Sequence, residues 1–352
     1  MIAELKDTLS GQWWAQGPKV DRFEKEFGEK FGFKYPVMVN SGTAALHLAY
    51  ILADIKPGDE VIVPVLTCSA TCHPIKIMGA EIVFADIKKD TLTIDPQSIA
   101  RKITDRTKAI VVVHLGGMVA NTEEIKRVSG DITIIEDACQ ALGNPYVGYG
   151  DFTCFSFQAI KALSTGDGGM LRCNCRADYK RAKKLRWFSI DREQKAKKNW
   201  QAWDRRGITF DQIEPGFKYQ ANDIAASIGL AALKDFNRNF IHRKRLADFY
   251  VRHLQRIKKI ELLSTEHPTS NWLFMVKVKN RNSFADYLRK NGIETNVTHI
   301  RNDLFKVFGG TRVNLPNMNR VEKEYICLPL NDRISLNDVD YICQRIKEWA
   351  EK

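Results

Sequence analysis

The sequence predicts an α/β fold, in which a large domain with a mostly parallel sheet covered by helices precedes a smaller α+β C-terminal domain. Three observations predict it. Short apolar runs alternate with helix-like stretches over the first two-thirds of the chain. The runs are apolar almost throughout, which suits strands buried on both faces. After about Tyr219 the pattern changes to a long amphipathic stretch followed by shorter strand–helix units. The large domain is expected over 1–235 and the smaller one over 236–352.

The elements follow in order. VMVN, around Met38, reads as a strand. The turn SGT leads into the helix AALHLAYILA. EVIVPV is the next strand, followed by a helix around Ala70 to Met78 and the strand EIVFADI. KAIVVVHL, a short helix near Glu123 to Val128, TIIEDA and CFSFQA complete the alternation. Asn222 to Phe236 lacks helix breakers and reads as a helix that continues after Asn239 toward Leu254. NWLFMVKV is a strand and Ser283 to Lys290 a helix. Asn302 to Asn319 is a loop rich in Gly, Asn and Pro, and Asn337 to Ala350 is a terminal helix.

Composition narrows the function. A chain of 352 residues exceeds a single small core and fits one large domain plus a smaller one. No apolar run approaches the ~18 to 20 residues that span a bilayer. The first residues, MIAELKDTLSGQWW, lack the apolar segment of a secretory leader, so a cytoplasmic protein without a membrane partner is expected. Cys139, Cys154 and Cys327 lie in apolar surroundings and read as core residues. Cys173 and Cys175 form a C-x-C pair in a strand-like stretch, without a second pair at zinc spacing, so no metal is expected. The net charge is +12, and much of it falls in Lys180 to Arg206. That stretch reads as a solvated helix and loop, as a nucleic-acid surface, or as the approach for a polyanionic small molecule. No nucleic-acid motif accompanies it, so no nucleic-acid partner is expected.

In parallel sheets, ligands gather at the carboxyl ends of the strands. Ser41 to Thr43, Asp86, His114, Asp137 and Ser156 all fall at such ends. Ser41-Gly42-Thr43 opens a helix, where backbone amides and hydroxyls suit an anion, although a plain N-cap uses the same residues. Asp137 can pair with a protonated ring nitrogen or cap the next helix. Gln140 stands three residues beyond it, where it can contact the same ring. Ser156 precedes Lys161 by five residues. FSFQAIKALSTGDGGML then places Lys161 among Ala159, Ile160, Ala162 and Leu163, followed by a glycine-rich turn. An amine withdrawn from water beside strand-end polar groups suits a Schiff-base nucleophile, and pyridoxal 5'-phosphate (PLP) is the cofactor this implies.

The order SGTAALHLA, GDEVIVPVLT, IIEDACQALG, SFQAIKALSTGDGGML and GFKYQANDIAASIGLAAL resembles the DegT/DnrJ/EryC1/StrS family, from about Gly11 to the C-terminus. These are PLP-dependent aminotransferases of nucleotide-linked keto-sugars, with a type I, aspartate-aminotransferase-like fold. The resemblance implies that Lys161 forms the Schiff base and later moves the proton between substrate and cofactor (PLP/PMP). It implies that Asp137 pairs with the pyridinium nitrogen and that Gly42, Thr43 and Ser156 hold the phosphate. Gln140 would contact the ring region. Lys218, where many members have Asn, would reach the cofactor of the other subunit of a homodimer. Cys68 stands where many relatives carry a ring-stacking aromatic, and Gln158 where many have His. Trp14, Gln158, His299, Arg301 and Asn302 are candidate substrate contacts, with THIRNDLFKVFGG replacing a stretch richer in His and Pro.

The expected reaction is amino transfer from L-glutamate to a nucleotide-linked 4-keto-6-deoxyhexose at C4, with amination at C3 of a 3-keto sugar as an alternative. A sub-branch that removes a sugar hydroxyl carries His at the lysine position, so Lys161 favours transamination over a PLP-dependent dehydratase. A non-catalytic regulatory or nucleic-acid-binding protein with the same fold has only the basic stretch to support it.

Overall fold

The computed structural model describes residues 2–11, 13–191, 212–264 and 267–352. Strands β1 (Pro36–Val39), β2 (Glu60–Pro64), β3 (Glu81–Ala85), β4 (Thr107–Val113), β5 (Thr133–Asp137), β6 (Phe152–Ser156) and β7 (Gly169–Cys173) form one sheet in the order β1-β7-β6-β5-β4-β2-β3. The pairs from β6 through β5, β4 and β2 to β3 are parallel. Only β7 runs antiparallel, to β1 on one side and β6 on the other. The sheet is therefore mostly parallel. Every residue of β2 and five consecutive residues of β4 are buried, as expected of strands covered on both faces.

Helices α1 (Ile2–Ser10) and α2 (Pro18–Phe31) precede the sheet. Pro18 sits at the first turn of α2, and Gly32 ends the helix at φ 72°. Helix α3 (Gly42–Leu52) leaves β1 with almost every residue buried. Helix α4 (Arg176–Leu185) follows β7. The Arg186 guanidinium at its end is fully buried, paired with Glu24 of α2 and donating to the Met38 carbonyl at 2.8 Å. One cation thus ties α2, β1 and α4 together.

The helix expected to pause near residues 236–239 is continuous from Asp223 to Leu254. Its first half, through Ala226, Leu230, Leu233 and Phe236, packs into a core with Phe23, Phe27 and Phe157. Its second half, through Leu246, Tyr250 and Leu254, packs into another with Phe274, Ile326 and Ile342. Strands β8 (Glu261–Leu262), β9 (Phe274–Lys277) and β10 (Tyr325–Leu328) make a separate antiparallel sheet, and Leu336–Glu351 is the terminal helix. Among the described residues, no helix is long and apolar enough to cross a membrane.

Two strand-end candidates serve the architecture. Asp86 accepts from the Asn317 and Met318 amides, both at 2.9 Å, and so caps the short helix Pro316–Val321. His114 is wholly buried, accepts from the Ala120 amide at 3.2 Å and faces Glu136 at 3.8 Å. Its neighbour Glu136 points away from Asp137 because successive residues of a strand face opposite sides. Of the basic stretch, Arg181 pairs with Glu214 at 2.7 Å and Lys184 with Asp191 at 3.4 Å. Residues 192–206 of that stretch lie outside the described residues.

Candidate active site

The register sets the site. Gly169, the first residue of β7, pairs with Val39 at the end of β1 and Ser156 at the end of β6. The carboxyl ends of β1, β5 and β6 therefore meet at one edge. Side chains are excluded from the seam. A Cβ on Gly169 would lie 2.4 Å from the Ser41 carbonyl oxygen, and one on Gly42 would lie 2.8 Å from Ser156 Cβ. Ser41 caps α3 by accepting from the Ala44 amide at 3.0 Å, which leaves Thr43 exposed on the first turn. Ser156 is half-buried alongside. A helix N-terminus flanked by hydroxyls is an anion site in chemistry and in shape.

Asp137 ends β5 and is 5% exposed. One carboxylate oxygen accepts from Thr71 Oγ1 at 2.8 Å, the other from the Cys139 amide at 3.2 Å. Thr71 is itself bonded to Thr67 Oγ1 at 2.8 Å. Cys68 is half-buried at the start of the turn Ser69–Thr71 that delivers Thr71 to Asp137. The carboxylate is thereby fixed in orientation yet keeps free lone pairs. That fits a protonated ring nitrogen, just as the α3 terminus fits a phosphate.

Gln140 is pinned at both ends. Its Oε1 accepts from the Gly116 amide at 2.6 Å, so its Nε2, 2.8 Å from His299 Nε2, must donate there. His299 is consequently the tautomer with its proton on Nδ1. Burial, reinforced by the Lys161 charge, pushes its imidazole down to about 4. Because the unfolded chain binds this proton more tightly, stability contributed by neutral His299 is complete above about pH 6.5 and drains away as pH falls toward 4. His299→Gln should flatten that decline by roughly 1–2 kcal/mol, read from urea midpoints at pH 4.5 and pH 7. An unchanged pH slope would contradict the assignment.

Lys161 lies on the turn after β6, its amide donating to the Gln158 carbonyl at 2.9 Å. Gln158 is exposed, and its Oε1 accepts from the Ile160 amide at 3.0 Å, so it shapes this turn. The apolar enclosure expected from the flanking residues is not closed within one chain, since Ile160 is 63% exposed. The Lys161 ammonium instead lies 4.1 Å from the centre of the Trp272 ring.

Other expected contacts lie elsewhere. Arg301 is 2% exposed, and all five of its N–H donors are taken: Asp303 receives two, and Asn319, Glu322 and the Val313 carbonyl one each. It braces its own loop and has no donor left for a sugar. Asn302 is fully buried and donates to the Thr67 carbonyl at 2.7 Å. Trp14 is 54% exposed, with its carbonyl accepting from the Asp223 amide. Lys218 is exposed, with its ammonium 5.7 Å from the Phe188 ring. A cavity of about 800 Å³ opens beside α2 and α4, lined by residues including Glu24, Phe33 and Tyr179, and no site residue lines it.

Thr71 and Trp272 escaped the sequence reading. A signal existed for Thr71, which follows a strand in PVLTCSAT as Thr43 follows one in VMVNSGT. Trp272 is brought to Lys161 only by the fold.

A model of the DegT/DnrJ/EryC1/StrS aminotransferase family matches residues 1–347. The spore coat polysaccharide biosynthesis protein SpsC of Bacillus subtilis is 36% identical, with 99% of this chain and 93% of that protein covered. The solved sugar aminotransferase CalS13 of Micromonospora echinospora is 30% identical, with 99% and 96% covered and a TM-score of 0.91. Spr1654 of Streptococcus pneumoniae has been solved in PMP and PLP forms. In the PMP form it is 30% identical, with 99% and 96% covered and a TM-score of 0.91.

Proposed function

Since the chain belongs to the DegT/DnrJ/EryC1/StrS aminotransferase family, we propose that it moves the amino group of L-glutamate onto C4 of a nucleotide-linked 4-keto-6-deoxyhexose. The observation that carries the reaction class is the meeting of Lys161, the Thr71-oriented Asp137 and the α3 N-terminus at one sheet edge. The names of SpsC and CalS13 support a sugar as the acceptor.

PLP supplies an aldehyde that exchanges amines and a ring that accepts an electron pair when its nitrogen is protonated. Asp137 holds that proton on the ring nitrogen, and Thr71 and the Cys139 amide keep its carboxylate aimed. Gly42, Thr43 and Ser156 bind the phosphate, with Gly42 letting α3 approach closely. Gln140, with one N–H committed to His299, has a second for the ring region. Lys161 Nζ is the amine that would hold the cofactor's aldehyde, and when free it would take the proton from the α-carbon of the donor, which becomes 2-oxoglutarate, and later give a proton to the sugar carbon. The positive stretch from Lys180 draws the nucleotide diphosphate by long-range attraction. The open face at Ile160 and the exposed Lys218 are accommodated by a homodimer whose second subunit closes the site.

The test is incubation with PLP, L-glutamate and UDP-, GDP- or dTDP-linked 4-keto-6-deoxy sugars, read by product mass and NMR. The expected product has the C4 carbonyl oxygen replaced by an amine. Loss of oxygen without gain of nitrogen, or amination at C3 only, would refute the reading.

A further inference from the structure

Trp272 touches the chain around Lys161 twice. The ammonium of Lys161 lies 4.1 Å from the ring centre, and the indole N–H donates to the Ile160 carbonyl at 3.2 Å. The lysine side chain and the carbonyl of the residue before it are thus both held by a single residue that is only 6% exposed. Trp272 is itself fixed. The flanking amides of Ser270 and Leu273 donate to the Gly117 and Gly116 carbonyls, each at 3.0 Å, and Asn271 between them takes φ 51°. The Trp272 carbonyl accepts from Arg243, which pairs with Asp332 at 2.7 Å. Gly116 also donates to Gln140, so the loop that seats Trp272 is the one that seats Gln140 and, through it, His299.

We propose that Trp272 is a positioning residue for Lys161, its ring face being the seat on which the lysine ammonium rests whenever it is not bonded to the cofactor. The idea rests on Lys161 being the covalent anchor. During each turnover the amine must leave the cofactor, carry a proton and return to the same place. An untethered lysine samples many rotamers. A cation held over an indole face keeps one of them, and the Ile160 bond stops the turn from drifting away from the ring.

The experiment compares full-length wild type, Trp272→Leu and Trp272→Phe. In cofactor-free protein, labelling of Lys161 by trinitrobenzenesulfonate is followed by peptide mass spectrometry. Trp272→Leu should label roughly tenfold faster, and Trp272→Phe, which keeps a weaker ring face, by an intermediate factor. With PLP restored, kcat should fall while KM for glutamate stays within about twofold, because glutamate binding itself does not use the seat. Thermal unfolding of Trp272→Phe within a few degrees of wild type separates positioning from collapse. Wild-type labelling and wild-type kcat in both variants would overturn the proposal while leaving the cofactor reading intact. No visible absorbance band in PLP-supplemented wild type would overturn both.

Discussion

Lys161→Ala should abolish the visible absorbance of the PLP-loaded protein and lower transamination by at least roughly 10⁴-fold. On the proposed mechanism the substitution removes nucleophile and proton carrier together, and general acid–base catalysis alone accounts for about 10² to 10⁴. Little else should change. Lys161 sits on a turn held by the Gln158 and Ile160 main chain, and its side chain is half-buried. Its loss therefore opens no core cavity, and thermal unfolding should stay close to wild type. Borohydride reduction followed by peptide mapping adds a direct check: wild type should carry the cofactor on the Lys161 peptide, and the variant on none. Retention of more than a small fraction of the wild-type rate would remove Lys161 from the mechanism.

Asp137→Asn is expected to have the next largest effect, a fall in kcat of about 10³-fold with folding preserved. The amide fills the same volume, and its single oxygen keeps one of the two bonds now accepted from Thr71 and the Cys139 amide, a local loss too small to unfold the chain. What disappears is the negative charge that, on the proposed mechanism, would keep a proton on the ring nitrogen. Single-turnover reaction with glutamate, the proposed donor, isolates that step, because the proposed keto-sugar acceptor is absent. Thr71→Val should cost far less, since the carboxylate stays charged and loses one of its two orienting donors. A rate unchanged in Asp137→Asn would mean that the carboxylate only caps the chain after β5.

The parts of this molecule legible in its sequence were those in which one strand carries its own message. Apolar runs such as EVIVPV and KAIVVVHL announced strands because both their faces are covered, and Asp137, Ser156 and Gly42 stood out because each closes or follows such a run. Helix α2 was equally readable in hindsight: Pro18 opens it, Gly32 closes it, and Phe23, Phe27 and Phe31 repeat at helical spacing. Its polar residues disguised it. Asp86 and Arg301 show the opposite failure. A strand-end carboxylate and a loop guanidinium look available in a sequence. Only the fold reveals that the first is capping a helix more than two hundred residues away in the chain and that the second has an acceptor for every donor. Thr71 and Trp272 were missed because their meaning lies wholly in partners distant in sequence. No local pattern distinguishes a tryptophan that will face a lysine from one that will fill a core.

The helix from Asp223 to Leu254 is 32 residues without a break, about 48 Å of continuous rod. Its two ends are built into different cores. A beam embedded at both ends transmits torque. The core behind α2 and the core that carries Trp272's neighbour Phe274 therefore cannot rotate independently without bending this beam, and each bend costs hydrogen bonds along its length.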